Sequence, residues 1–131
     1  MILTAKIFTA LVALLHFFFL ILEMFHWDRP LGLKVFGHKL EAARSSKVLA
    51  ANQGLYNGFL SASLVYGLYK GGQIGHQFQV FFLICVVVAG VYGALTASRK
   101  IFFIQSLPAL IALLLTYFYP DTVASHIKSF F

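Results

Sequence analysis

The chain has little with which to meet water. Ten Lys or Arg and four Asp or Glu among 131 residues make 11% charged, against roughly 25% in an ordinary soluble domain, too few to cover a soluble fold. Its single cysteine, Cys85, excludes an internal disulfide. Set among Leu83, Ile84, Val86 and Val87, that thiol reads as a small hydrophobe rather than a redox group. There is no HExxH spacing, no Ser-His-Asp arrangement, no P-loop and no dinucleotide fingerprint. His16 and His26 diverge by about 80° or less around a helix and, with Glu23, lack a zinc-ligand spacing, so no metal site is expected. No internal repeat or low-complexity run is visible, and the sequence points to no cofactor.

What fills the chain is apolar: 60% of its residues, gathered into four stretches of span length. Lys6 to His26, Val48 to Tyr69, Phe78 to Ser98 and Ile101 to Tyr119 are each long enough as helices to approach or cross a hydrocarbon core of about 30 Å. The expected fold is all-α and polytopic, with four transmembrane helices in one antiparallel bundle occupying residues 1–131. The first stretch is too long for a cleavable leader and ends in His26-Trp27-Asp28-Arg29, so it is expected to be retained. Its home would be a cell membrane, the inner membrane in a bacterium.

Charge sets the expected orientation. Arg29, Lys34, Lys39, Arg44 and Lys47 follow the first span, and Arg99 and Lys100 lie between the third and fourth, against Lys6, Lys70 and Lys128 on the opposite side. The positive-inside rule places both basic loops in the cytoplasm and both termini outside. The net charge of +6 then fits anionic lipid headgroups better than nucleic acid, because the basic residues are scattered along the edges of apolar segments. Trp27, Tyr66, Tyr69, Tyr117 and Tyr119 read as interfacial anchors. Residues 28–47, broken by Arg29-Pro30 and Gly32, form a mixed apolar and basic connector that lies on the membrane surface or folds over a pocket mouth.

Polar side chains inside the spans are the candidate functional residues, because hydrocarbon penalises them unless they are paired or face a cavity. Glu23, Asn52, Gln53, Tyr56, Asn57, Tyr92 and Gln105 all fall in the cytoplasmic half, with Trp27 at its edge. His16 shares a helical face with Glu23. Small residues give a packing pattern: Gly54 and Gly58 form a GxxxG pair, and Ala89, Gly90, Gly93 and Ala97 give the third span a small-residue stripe. The second and third spans are expected to touch along these stripes, with Pro108 bending the fourth around a shared cleft. The polar groups either line that cleft or serve as interhelical glue.

The runs Glu23-Met-Phe-His-Trp27, Val35-Phe36-Gly37, Asn52-Gln-Gly-Leu-Tyr-Asn-Gly-Phe-Leu60 and Ala89-Gly-Val-Tyr-Gly-Ala94 resemble a family of small four-helix membrane proteins described as a domain of unknown function, number 1304. The resemblance covers essentially the whole chain and implies a four-helix membrane fold, with no activity or ligand attached to it. The favoured expectation is binding or transport of a lipophilic or amphiphilic small molecule, held by Glu23, Asn52, Tyr56 and Gln105. Candidate partners are membrane lipids, that small molecule and a second copy of the chain. Two other classes stay open. One is a membrane enzyme resembling the four-helix glutathione-transferase relatives, whose second-helix glutamate would fall on Leu55. The other is a proton-coupled exporter like the small multidrug-resistance proteins, whose carboxylate lies deeper than Glu23 does.

Overall fold

A run from Ile2 to Phe25 without glycine or proline has nothing to interrupt a helix, and it forms α1 over that whole length. The computed structural model describes residues 2–118, so the expected span end at Tyr119, and Lys128 with the C-terminal side it was counted on, lie outside the described residues. Among the described residues every regular element is helical: α1 (Ile2–Phe25), α2 (Pro30–Phe36), α3 (Leu40–Lys70), α4 (Gly72–Thr96), a π turn (Phe102–Ser106) and α5 (Leu107–Phe118). The chain divides into two compact units, one of Leu14–Ser61 and one of Met1–Ala13 with Ala62 onward. Both α1 and α3 run from one unit into the other.

Within Leu14–Ser61, the expected connector is largely helical. Pro30 does not break a helix but starts one: its missing N–H is no loss in a first turn, and α2 runs on to Phe36. Gly37 closes it with φ 70 and donates its N–H to the Leu33 carbonyl, a left-handed cap that glycine takes without strain. Gly32 is also a packing residue, because a Cβ there would overlap the His26 carbonyl oxygen and push α2 off the end of α1. Residues 40–47 are the opening turns of α3 rather than connector. At 31 residues α3 is about 46 Å long by its rise of 1.5 Å per residue.

In the same unit α1 packs against α3 at the GxxxG pair. A Cβ on Gly54 would meet Met24 Cγ at 2.8 Å and Glu23 Cβ at 3.0 Å, and one on Gly58 would overlap the Leu20 side chain. These glycines therefore seat α1, which corrects the expectation that they would meet the small-residue stripe of the third span. Periodicity had fixed their common face but not what lies against it.

In the other unit, α3 and α4 do touch, at a hairpin of glycines. Gly71 and Gly72 take φ 58 and φ 57, and the helices they join approach so closely that a Cβ on Gly75 would overlap the Gly67 carbonyl oxygen. Gln79 Nε2 donates to that same oxygen at 3.3 Å, and Tyr66 meets Phe78 edge to face at 4.9 Å. The stripe on α4 instead receives the segment that follows it. A Cβ on Gly93 would meet Ile101 Cγ2 at 3.1 Å, and one on Gly90 would meet Ser106 N at 2.9 Å. Ser106 Oγ donates to the Val87 carbonyl at 3.2 Å. Ala97, the last member of the expected stripe, is exposed and caps α4, its N–H donating to the Gly93 carbonyl.

The fourth apolar stretch is interrupted where Pro108 demands it. Proline has no N–H for the carbonyl four residues back and crowds it, and the turn just before widens so that the Leu107 N–H reaches the Phe102 carbonyl. Among the described residues two helices, Leu3–Phe25 and Gly72–Thr96, are long and apolar enough to cross a membrane, while Phe102–Phe118 is shorter. Leu22, Leu64, Leu83 and Val86 are fully buried, polar side chains share that interior, and large apolar side chains also face outward. Thr9, His16, Glu23, Ser61, Gln79, Ser106 and Thr116 are buried, while Phe17, Phe18, Phe25, Phe59, Phe81 and Phe103 are exposed.

Candidate functional site

Glu23 lies on the face of α1 that meets α3, and the absence of a side chain at Gly54 leaves room for its stem. Its carboxylate oxygen Oε2 accepts a hydrogen bond of 2.6 Å from Asn57 Nδ2. The residue is only 9% exposed, and among the described residues no lysine, arginine or histidine is paired with it. A buried carboxylate held by a neutral amide is costly to maintain unless it has a further use.

Aromatic rings cluster where α1 ends. Phe19 lies one turn before Glu23 on the same face of α1, and Trp27 follows it in the turn that leaves the helix. The ring of Phe36, from α2, touches both, at 6.4 Å from Phe19 and 4.8 Å from Trp27. His38 completes the group, 4.5 Å from Trp27 and stacked on Phe36 at 5.9 Å. Trp27 is anchored by its indole N–H, which donates to Ser46 Oγ at 3.1 Å. Ser46 in turn donates to the Ala42 carbonyl at 2.8 Å. The indole thus packs inward between α1, α2 and α3, on top of any interfacial role.

At the rim, Lys47 Nζ donates to Asp28 Oδ2 at 3.0 Å. That hydrogen bond holds the Asp28 carboxyl below the usual carboxylate range. Arg29, Lys34, Lys39 and Arg44 are exposed around it.

The expected cluster separates into three groups. Glu23, Asn57 and Trp27 come together in the Leu14–Ser61 unit. Asn52, Gln53 and Tyr56 belong to the same unit but are exposed, with Tyr56 61% exposed and its ring against Phe59. Asn57 follows Asn52 by five residues, which rotates it about 140° around the helix, so it is Asn57 that meets α1. Tyr92 and Gln105 belong to the other unit. Tyr92 is 69% exposed, and Gln105 is half-buried with a long 3.5 Å bond from Nε2 to the Val86 carbonyl. Sequence reasoning had Phe36 in a family motif and His38 in the connector without assigning either to the site, and passed over Ser46. The available signal was a pair of aromatic rings, Phe36 and His38, flanking the glycine that ends α2.

The model of the family described as "Protein of unknown function (DUF1304)" matches residues 10–117. The chain is 34% identical over 116 residues to the uncharacterized protein YpaA of Lactococcus lactis subsp. lactis (strain IL1403), a match covering 86% of this chain and 95% of that relative. No solved structure matches. With both matches running through α1 to α5, the chain belongs to the DUF1304 family of proteins of unknown function.

Proposed function

We propose that this is a multi-pass protein of the cell membrane, crossing it four times as an antiparallel bundle with both termini outside, which binds an amphiphilic small molecule at Glu23 and Asn57. The exposed phenylalanines and the buried polar groups support the membrane reading, since both suit a hydrocarbon surround. α3 is less apolar than α1 because Asn52, Gln53 and Asn57 interrupt it and Arg44 and Lys47 open it. Its length exceeds the hydrocarbon core, which lets those basic turns reach the headgroups. Phe102–Phe118 would extend about 25 Å, short by one turn of a full crossing. Local thinning accommodates such a mismatch.

The observation that carries the binding reading is the buried Glu23 carboxylate, hydrogen-bonded by Asn57, with Phe19 and Trp27 four residues to either side of it and the Phe36 ring against both. A few oriented polar groups inside a mainly apolar lining are the ordinary make-up of a small-molecule site. The topology is tested with single cysteines at Lys39 and Gln73 in a Cys85→Ser background and a membrane-impermeant thiol reagent on intact cells. Position 73 should label and position 39 should not; the reverse pattern would overturn the orientation. Binding is tested by native mass spectrometry of the purified protein. A retained amphiphile should be lost in Glu23→Gln and Asn57→Leu, and variants that retain it unchanged would remove these residues from the site.

A further inference from the structure

We infer that the Glu23 site selects a positively charged head, so that its ligand is a lipophilic ammonium ion; this rests on the binding reading above and names its ligand class. What the site offers a ligand follows from which polar atoms are already spent. Glu23 Oε2 is taken by Asn57, which leaves Oε1 as an acceptor on a side chain that is 9% exposed. Asn57 spends an amide N–H on Glu23, which leaves its carbonyl oxygen as an acceptor. Trp27 spends its only N–H on Ser46. Phe19 and Phe36 contribute rings and no donors.

Most of what remains around the carboxylate is electron-rich: one carboxylate oxygen, one amide carbonyl and the rings of Phe19, Trp27 and Phe36, with the His38 ring against the last two and its buried Nε2 without a partner among the described residues. Aromatic faces beside a carboxylate attract an organic cation and repel an anion. The basic side chains of this unit do not cancel that preference, because Lys47 is paired with Asp28 and Arg29, Lys34, Lys39 and Arg44 are exposed to screening. An inorganic cation would want several oxygen ligands, whereas here most of the lining is carbon. An alkylammonium places its charge against Glu23 and its methyl groups against the rings, and its tail continues into apolar surface.

Trp27 is the only tryptophan in the chain, so its emission reports on the site directly. The test titrates the purified full chain, in a neutral detergent at fixed concentration, with octyltrimethylammonium, octanol and octyl sulfate. The cation should shift Trp27 emission saturably, at least tenfold more tightly than the other two, and Glu23→Gln should weaken it at least tenfold. Phe36→Leu keeps the bulk and removes the ring, and should weaken the cation by at least threefold. That variant keeps the test alive if Glu23→Gln does not fold. If octanol or octyl sulfate binds as tightly as the cation in a manner lost in Asn57→Leu, the cation assignment falls and the binding site stands. If no probe moves the emission and the substitutions change only the melting temperature, both fall.

Discussion

Gly54→Ala and Gly58→Ala form a matched pair that isolates how α3 holds α1. Both replace a glycine in the middle of the same long helix, so the intrinsic gain of about 1 kcal/mol for alanine over glycine is common to the two and cancels in their difference. The surroundings differ. At Gly54 the new methyl would meet Glu23 Cβ at 3.0 Å and the backbone nitrogen of Met24 at 3.1 Å, atoms that move only if the helices separate. At Gly58 it would meet the end of the Leu20 side chain, which can turn away. Overpacking against an immobile wall costs about 2 kcal/mol. A displaced leucine rotamer costs about 1 kcal/mol. Gly54→Ala should therefore be less stable than Gly58→Ala by about 1 kcal/mol, read from reversible unfolding in mild detergent with Trp27 emission as the probe. Adding Met24→Ala should recover only a fraction of that loss, because the backbone nitrogen remains. Equal stability of the two variants, or a greater loss at Gly58, would show that α1 does not pack on Gly54 as described.

A double-mutant cycle of Glu23→Leu and Asn57→Leu should give a coupling of about 0.6–2 kcal/mol, the range of interhelical hydrogen bonds in membranes; additive single effects would deny the pair an energetic role. Pro108→Ala restores an N–H to the turn before α5 and should let the π turn close to an α turn, seen as altered amide exchange over residues 102–107 and a loosened Ser106 contact with Val87. Unchanged exchange there would clear Pro108 of causing the π turn. Asp28 has its pKa lowered by Lys47, so whatever stability it contributes is present above its unfolded value of 3.8 and lost as the pH falls through the lower folded value. The melting difference between the parent and Asp28→Asn should accordingly be present at pH 7 and shrink below about pH 4; a difference independent of pH would show that charge is not its source.

How much of the fold was readable in the sequence depended on what fixed each feature. α1 and α4 were legible because long apolar runs leave a helix no competitor. α2 was not, because Pro30 and Gly32 signal a break equally well when one starts a helix and the other lets it press against a carbonyl. The early start of α3 was hidden by Glu41, Arg44 and Lys47, whose charge suggested loop although their neighbours Ala42 and Ala43 favour helix. At the site, Glu23 was legible by its cost in an apolar run. Its partner was not, because Asn52 and Asn57 lie on neighbouring stripes and periodicity cannot say which stripe a distant helix will meet. Gly54 and Gly58 failed in the same way: their common face was apparent, the occupant of that face was not.

The outward-facing aromatic side chains and the closely packed glycines have a consequence for how this sequence can drift. In a water-soluble protein the outside is the permissive region and large interior residues are the constrained ones. Here Phe17, Phe18, Phe81 and Phe103 look outward, and in the proposed membrane setting leucine, isoleucine or valine would serve there as well. The sites that resist change are the smallest residues in the chain. Gly32, Gly67 and Gly75 each press on a carbonyl, and one added methyl is enough to drive neighbouring helices apart. A mutational scan should therefore produce an unusual map, in which these bulky positions tolerate nearly any hydrophobe and Gly32, Gly67 and Gly75 tolerate almost nothing.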